Sequence, residues 1–247
     1  MQPTTPQRIV LITGASRGIG AEVAQQLAAP DTHVIVNYRE KSKRAETIAA
    51  AIRDAGGHAS TLAADISDEA DATAMIESVA QRFGRLDTLI LNASGGLELG
   101  ADPGYAMRLN RDAQRRLAQL ALPLMPVGGR IVFVTSHQAH FFPNKAVPKG
   151  YAGVAASKRA GETALYAMRS AFSRAGIHFT VVSGDMIDGT IIVRLLERRD
   201  PGAVEARRSS VELPTVHEFA AAIVNATTIP NPSGIVYVGG ADCLMTA

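Results

Sequence analysis

Short runs of β-branched and aliphatic residues recur along the chain: RIVLIT (8–13), HVIVNY (33–38), HASTLAA (58–64), TLILN (88–92), RIVFVT (130–135), HFTVVS (178–183) and GIVYVG (234–239). They are closer to continuously apolar than to alternating. Strands of that kind are buried on both faces, as in a parallel sheet covered by helices. Between them the period changes. Ile19, Val23 and Leu27 share one helical face, as do Ala45, Ile48, Ala49 and Ile52, and then Ala72, Met75, Ile76, Val79 and Phe83. Thr215 and Glu218 have capping-box spacing ahead of VHEFAAAIVNATT. This alternation predicts an α/β fold: one doubly wound Rossmann-type domain over 1–247, with a mostly parallel sheet of seven strands. One segment breaks the rhythm. Residues 187–213 are polar, rich in Arg and divided by Pro201-Gly202. Insertions after strand C-termini lie beside the ligand crevice of such sheets, so 187–213 is the candidate substrate lid.

Composition leaves this picture intact and narrows the function. A chain of 247 residues, 47% hydrophobic, can bury a large core. A formal net charge of +2, with no basic stretch interleaved with aromatics, argues against a nucleic-acid partner. Cys243 is the single cysteine, which gives no intramolecular disulfide and no metal cluster; it reads as a structural thiol. No apolar run reaches the roughly 18 residues of a membrane span. MQPTTPQR is too short and polar for a signal peptide. The expectation is a soluble, cytoplasmic protein without a metal site.

The candidate chemistry begins at TGASRGIG (13–20), between the first strand and the first helix. Gly14, Gly18 and Gly20 permit a tight turn and close backbone approach, and N–H groups around Ser16, Arg17 and Ile19 can then face a pyrophosphate. The second strand ends in Asn37, Tyr38 and Arg39, where an NAD site carries an acid for the ribose 2′-hydroxyl. Two guanidinium groups, Arg17 and Arg39, suit a 2′-phosphate and favour NADP(H) over NAD(H). Glu40 is the nearest carboxylate, and both arginines also read as plain surface charges. Asp65, followed by Ile66, ends the third strand within reach of an adenine amino group. Asn92, Ala93 and Ser94 form a small-residue exit from the fourth.

Together these residues resemble the short-chain dehydrogenase/reductase family over nearly the whole chain. Thr13, Gly14, Gly18 and Gly20 match its TGxxxGxG motif in full, and LNASG (91–95) matches its NNAG motif loosely. The resemblance implies that Asn110, Ser136 and Lys158 are active-site residues. It also implies that Met186 and Ile187, beyond Ser183-Gly184 where the family has Pro-Gly, meet the nicotinamide. In the implied mechanism a phenol protonates a carbonyl as hydride arrives. Lys lowers the phenol pKa and holds the ribose, Ser steadies the alkoxide, and Asn anchors a water chain. A homotetramer or homodimer, built on the long helices carrying Asn110 and Lys158, is implied as well.

The family's YxxxK spacing is broken. Val154 stands four residues before Lys158, and the nearest phenol is Tyr151, one helical turn earlier. In a continuous helix Tyr151 would lie about 4.5 Å axially from residue 154 and lean towards the N-terminus, away from Lys158. Irregular chain around Gly150 and Gly153 would be needed to fold it back inward. Three readings stand open: Tyr151 as a displaced proton donor; His137, His140 or a water in its place; or a site that binds nucleotide with little redox chemistry. The substrate is read as a small-molecule ketone or acyl carbonyl. The lid arginines 194, 198, 199, 207 and 208 would suit a CoA-linked acyl group, or are ordinary solvated charges.

Overall fold

The computed structural model describes residues 7–97, 102 and 104–240; Cys243 lies outside the described residues. Each apolar run forms a strand: β1 (Arg8–Ile12), β2 (Thr32–Tyr38), β3 (His58–Ala63), β4 (Thr88–Leu91), β5 (Arg130–Ser136), β6 (His178–Gly184) and β7 (Ile235–Val238). All pair in parallel, in the order β3-β2-β1-β4-β5-β6-β7. The order reverses between β1 and β4, and in such sheets the ligand crevice lies beyond the strand C-termini at that point.

The helices follow the predicted faces: α1 (Gly18–Gln26), α2 (Ser42–Asp54), α3 (Glu69–Phe83), α4 (Tyr105–Met107), α5 (Gln114–Ala121), α6 (His137–His140), α7 (Ala152–Tyr166), α8 (Arg169–Arg174), α9 (Ile191–Arg199), α10 (Pro201–Ser210) and α11 (Val216–Ala226). On one side of the sheet Val79, Leu117, Leu165 and Phe172 cover Leu11, Leu89 and Phe133. On the other, Val23, Ala49, Ile52 and Ile223 cover Val10, Ile12 and Val132. Side chains such as Leu11 and Ile35 are fully buried, a burial worth roughly 1.5–3 kcal/mol each.

Helix ends follow local chemistry. Asp68 caps α3 by accepting from Asp71 N–H. The Thr215–Glu218 capping box forms in both directions at α11. The lid segment is two helices, α9 and α10. They place Val193, Leu196 and Val204 in a third apolar cluster with Leu97, Tyr151, Val154, Ala155 and Met186. No described helix is long and apolar enough to cross a membrane, and the described residues contain no group of side chains fit to hold a metal.

Candidate active site

At the nucleotide end, Thr13 Oγ1 accepts from the N–H groups of Asn92 and Ala93, both at 3.0 Å, and fastens the glycine loop to the β4 exit. Gly14 has φ +64°, and a Cβ there would meet Ala93 at 3.1 Å. A Cβ on Gly20 would lie 2.6 Å from Asn92 Nδ2, so loop and exit are packed too closely for a side chain. The N-terminus of α1 has no side-chain cap, unlike those of α3, α9 and α11, and no acid in its first turn. Its open N–H groups fit a pyrophosphate. Ser16, Arg17, Gly18 and Ile19 lie around that turn.

The end of β2 divides its labour. Asn37 is buried, accepts from Gly14 N–H, and donates to the carbonyls of Leu62 and Ala64. Its side chain therefore shapes the cradle from behind. Arg39 is exposed, donates to the Tyr105 hydroxyl at 2.6 Å and pairs with Glu40 at 2.9 Å. Glu40, the one acid near the strand end, is thus turned to the arginine. Asp65 Oδ1 accepts from the Ser67 N–H and hydroxyl, and Ile66 is buried beside it. Asn92 donates to the Thr13 carbonyl, and Ser94 is exposed.

Asn110 lies in a π-helical turn, Arg108–Ala113, of the kind that recurs at functional sites. Its Nδ2 donates to the Gly95 carbonyl and to Ser157 Oγ, each at 2.9 Å. A Cβ at Gly161 would fall 1.9 Å from the Asn110 carbonyl oxygen, so only glycine lets α7 pass this turn. Asn110 is thereby locked between the β4 exit and the helix that carries Lys158.

The displaced phenol reaches the site by an economical route. Gly150 takes φ +78°, a left-handed turn, and Tyr151 then enters α7 directly, with its carbonyl accepting from Ala155 N–H at 2.9 Å. Of the two glycines named from the sequence, Gly150 makes the turn, while Gly153 lies in regular helix. Tyr151 is only 5% exposed, under α9 and α10. Burial pushes its phenol pKa up, and the facing Ser136 hydroxyl offsets part of the rise. The two hydroxyls oppose one another without a well-aligned bond, because Ser136 Oγ is buried and has no hydrogen-bond partner. Val154, at the usual phenol position, packs among the apolar lid residues. Burial lowers the Lys158 ammonium to about 8, against an opposing pull from Glu162. The implied lowering of the phenol by Lys158 is not seen: what offsets burial at Tyr151 is Ser136.

Neither histidine offered as a substitute donor has a spare nitrogen. His137 Nε2 meets the Gly239 carbonyl at 3.0 Å, and Nδ1 meets Ser183 Oγ at 2.9 Å. Carbonyls only accept, so Nε2 carries the proton and Nδ1 accepts from Ser183. Burial holds the His137 pKa below its ordinary value. His140 Nδ1 meets Glu162 Oε1 at 2.7 Å, and Nε2 meets the Tyr237 hydroxyl at 2.9 Å. Glu162, which the motif reading passed over, is 0% exposed. Its spacing of four residues from Lys158 was the available signal.

At the end of β6, Gly184 packs under Phe219, where a Cβ would sit at 2.6 Å. Met186 N–H donates to Asp185 Oδ1, and the Ile187 carbonyl accepts from Thr190 Oγ1. The lid is latched. Arg207 grips buried Asp185 Oδ2 through Nε and a second nitrogen, at 2.9 and 2.6 Å. Arg208 bridges Asp188 and Glu197, and Arg199 donates to the Leu97 carbonyl. These lid guanidiniums are engaged by the protein, which weakens the reading of the lid as a phosphate-binding face.

The sequence pattern of the family described as short chain dehydrogenase matches residues 8–200. The 1-cyclohexenylcarbonyl-CoA reductase of Streptomyces collinus is 36% identical over 195 residues, which cover 76% of this chain and 67% of that protein. The chain spans only 38% and 59% of the next two curated relatives it matches. A short chain dehydrogenase from Burkholderia cenocepacia, solved with NADP, superposes with a TM-score of 0.79 at 28% identity, over 96% of this chain and 98% of that one. The angucycline C-6 ketoreductase LanV, also with bound NADP, superposes with a TM-score of 0.77 at 25% identity, over 95% of both chains.

Proposed function

The chain belongs to the short-chain dehydrogenase family of oxidoreductases, and we propose that it is an NADP(H)-dependent reductase of a ketone or 3-oxoacyl carbonyl with Tyr151 as proton donor. The observation that carries this reading is the buried Tyr151 phenol set against the unpartnered Ser136 hydroxyl beneath the lid. NADP(H) is supported by the uncapped α1 N-terminus, by Arg39 held at the end of β2 with Glu40 turned to it, and by the NADP in both solved relatives. When bound, the cofactor supplies the hydride. Ser136 Oγ donates to the substrate oxygen and orients it. As charge develops there, the Tyr151 hydroxyl passes its proton to that oxygen, leaving a phenolate. Burial keeps the phenol protonated at neutral pH until that moment. The phenolate regains its proton from solvent as product leaves; Lys158, held charged, is the cation that would hold the cofactor ribose, and Asn110 fixes the turn that packs on its helix. Val193, Leu196 and Val204 exclude water. Assembly as a homodimer or homotetramer is part of the same proposal.

A second reading, conjugate reduction of an α,β-unsaturated thioester, is favoured by one specific observation. The phenol originates one turn further from Lys158 than YxxxK would place it. In a conjugated substrate the carbon that takes hydride is separated from the carbonyl oxygen by two further carbon–carbon bonds, one of them double. A displaced donor suits that longer span. The name of the Streptomyces relative describes a conjugated thioester of this kind. NADPH oxidation with matched 3-oxoacyl-CoA, cyclic ketone and 2-enoyl-CoA substrates, with NADH as control, decides between the two. Hydroxylated products support the first reading and saturated acyl products the second. NADPH binding without turnover on any substrate sinks both.

A further inference from the structure

Glu162 is a costly residue to bury. Its side chain is 0% exposed, and it stands one helical turn from Lys158 on the same face of α7. Oε1 accepts from His140 Nδ1 at 2.7 Å and from Arg159 at 2.9 Å. Oε2 is buried with no hydrogen-bond partner. A carboxylate present only to anchor α6 would turn both oxygens to donors, because an open, buried lone pair costs about 1–3 kcal/mol. One oxygen is fixed and the other left open, and the charge so held acts on Lys158, one turn back on the same helix face.

We propose that Glu162 is a positioning residue for Lys158: a buried counter-charge, fixed by Arg159 and His140, that keeps the ammonium protonated in the working site. The proposal rests on the reductase reading for the task given to Lys158, but the arrangement belongs to the protein itself. The groups that face Glu162 are Lys158, Arg159 and Tyr166 on its own helix, His140 on α6 and Tyr237 on β7. Tyr166 and Tyr237 are both raised, first by burial and then by this carboxylate. Toward Lys158, Glu162 is the one charge that acts among the described residues. The same face thus carries the cation and its counter-charge, and His140 ties that counter-charge to Tyr237 near the surface.

The test is an NMR titration of the full chain labelled at lysine Cε, without cofactor and without any need for turnover. Lys158 is one of five lysines, and its signal is the one that disappears in Lys158→Met. In the wild type it should titrate near 8. Glu162→Gln keeps the shape and an acceptor for His140 and Arg159 but removes the charge. It should lower the proton affinity of Lys158 by about tenfold, the lower end of what one nearby opposite charge does. Glu162→Asp restores the charge and should return the midpoint to within about threefold of wild type, a rescue that a purely structural role does not produce. An unmoved midpoint in Glu162→Gln overturns the proposal. So does an equal fall in Glu162→Asp, which also serves if the Gln variant does not fold. A wild-type chain that titrates as described yet binds no NADPH strikes the reductase reading alone.

Discussion

Replacing Lys158 by Met removes a charge that burial opposes while keeping most of the side-chain volume. The ammonium falls from its ordinary 10.5 to about 8 in the folded chain, with burial as the leading cause. At about 1.4 kcal/mol per tenfold change in proton affinity, holding that charge at neutral pH costs the fold about 3 kcal/mol. Below about 8 both folded and unfolded chains are protonated, and the full cost is present. Between 8 and 10.5 the unfolded chain holds the proton while the folded chain releases it, so stability rises with pH across that window. Above it both are neutral, and the cost is gone. Urea unfolding of wild type and Lys158→Met at pH 7 and pH 10 reads the difference. The variant should be more stable by up to about 3 kcal/mol at pH 7, and the gap should shrink to under about 1 kcal/mol at pH 10. The same variant should lose NADPH-dependent turnover, a gain in stability at the expense of function. Parallel pH profiles for the two proteins, or a variant less stable at pH 7, would refute the assignment of Lys158 as a buried, destabilised cation.

Tyr151→Phe deletes only the phenol oxygen and leaves the ring in the lid cluster. Turnover should fall about 10²–10⁴-fold with NADPH affinity unchanged, and stopped-flow NADPH oxidation that stays within about threefold of wild type would exclude Tyr151 as the donor. Arg39→Ala should weaken NADPH binding about 10–100-fold, the value of one charge-assisted phosphate contact, and leave NADH binding unaltered in fluorescence titrations. Equal losses for both cofactors would count against a 2′-phosphate at Arg39. Gly20→Ala places a methyl 2.6 Å from Asn92 Nδ2 and 2.8 Å from the Gly14 carbonyl. It should cost about 1–3 kcal/mol in unfolding experiments and abolish cofactor binding, and wild-type affinity would show that the loop is not the cradle.

The seven strands were legible because a doubly covered parallel strand writes its burial into nearly every position. RIVFVT and HFTVVS each extended by one residue, into Ser136 and Gly184, because the ladder between those strands runs on to their last residues. The Thr215 cap was legible for the same local reason. Asn37 was harder. Its place at the end of β2 suggested a ligand, but its three partners come from the glycine loop and from β3, and pairing across that distance leaves no periodic trace. The commitment of His137 was hidden for the same reason, since Gly239 lies 102 residues away. Glu162 differs. Its spacing from Lys158 was visible, but an acid four residues from a lysine on a helix is ordinarily a solvent-exposed pair. Only tertiary burial turns that pair into part of a site.

The displaced phenol shows how such limits arise at an active site. Helical periodicity ranks Tyr151 as too far from Lys158, and the ranking is right as far as it goes: Ser136, not Lys158, is the group that acts on the phenol. What periodicity omits is that a donor need only face the substrate oxygen. Gly150 sets the direction from which Tyr151 enters α7, and the lid supplies the wall that holds the ring. That wall is apolar, and three arginines of the segment, Arg199, Arg207 and Arg208, are engaged by the Leu97 carbonyl, Asp185, Asp188 and Glu197. If the chain is the reductase proposed, substrate choice at the reacting end follows from the shape of the apolar cluster of Tyr151, Val154, Met186, Val193 and Leu196 rather than from charge. Enlarging it at Val193 or Leu196 should change which carbonyl is accepted while leaving NADPH affinity alone. A change in cofactor affinity with an unchanged substrate range would place the lid over the nucleotide instead.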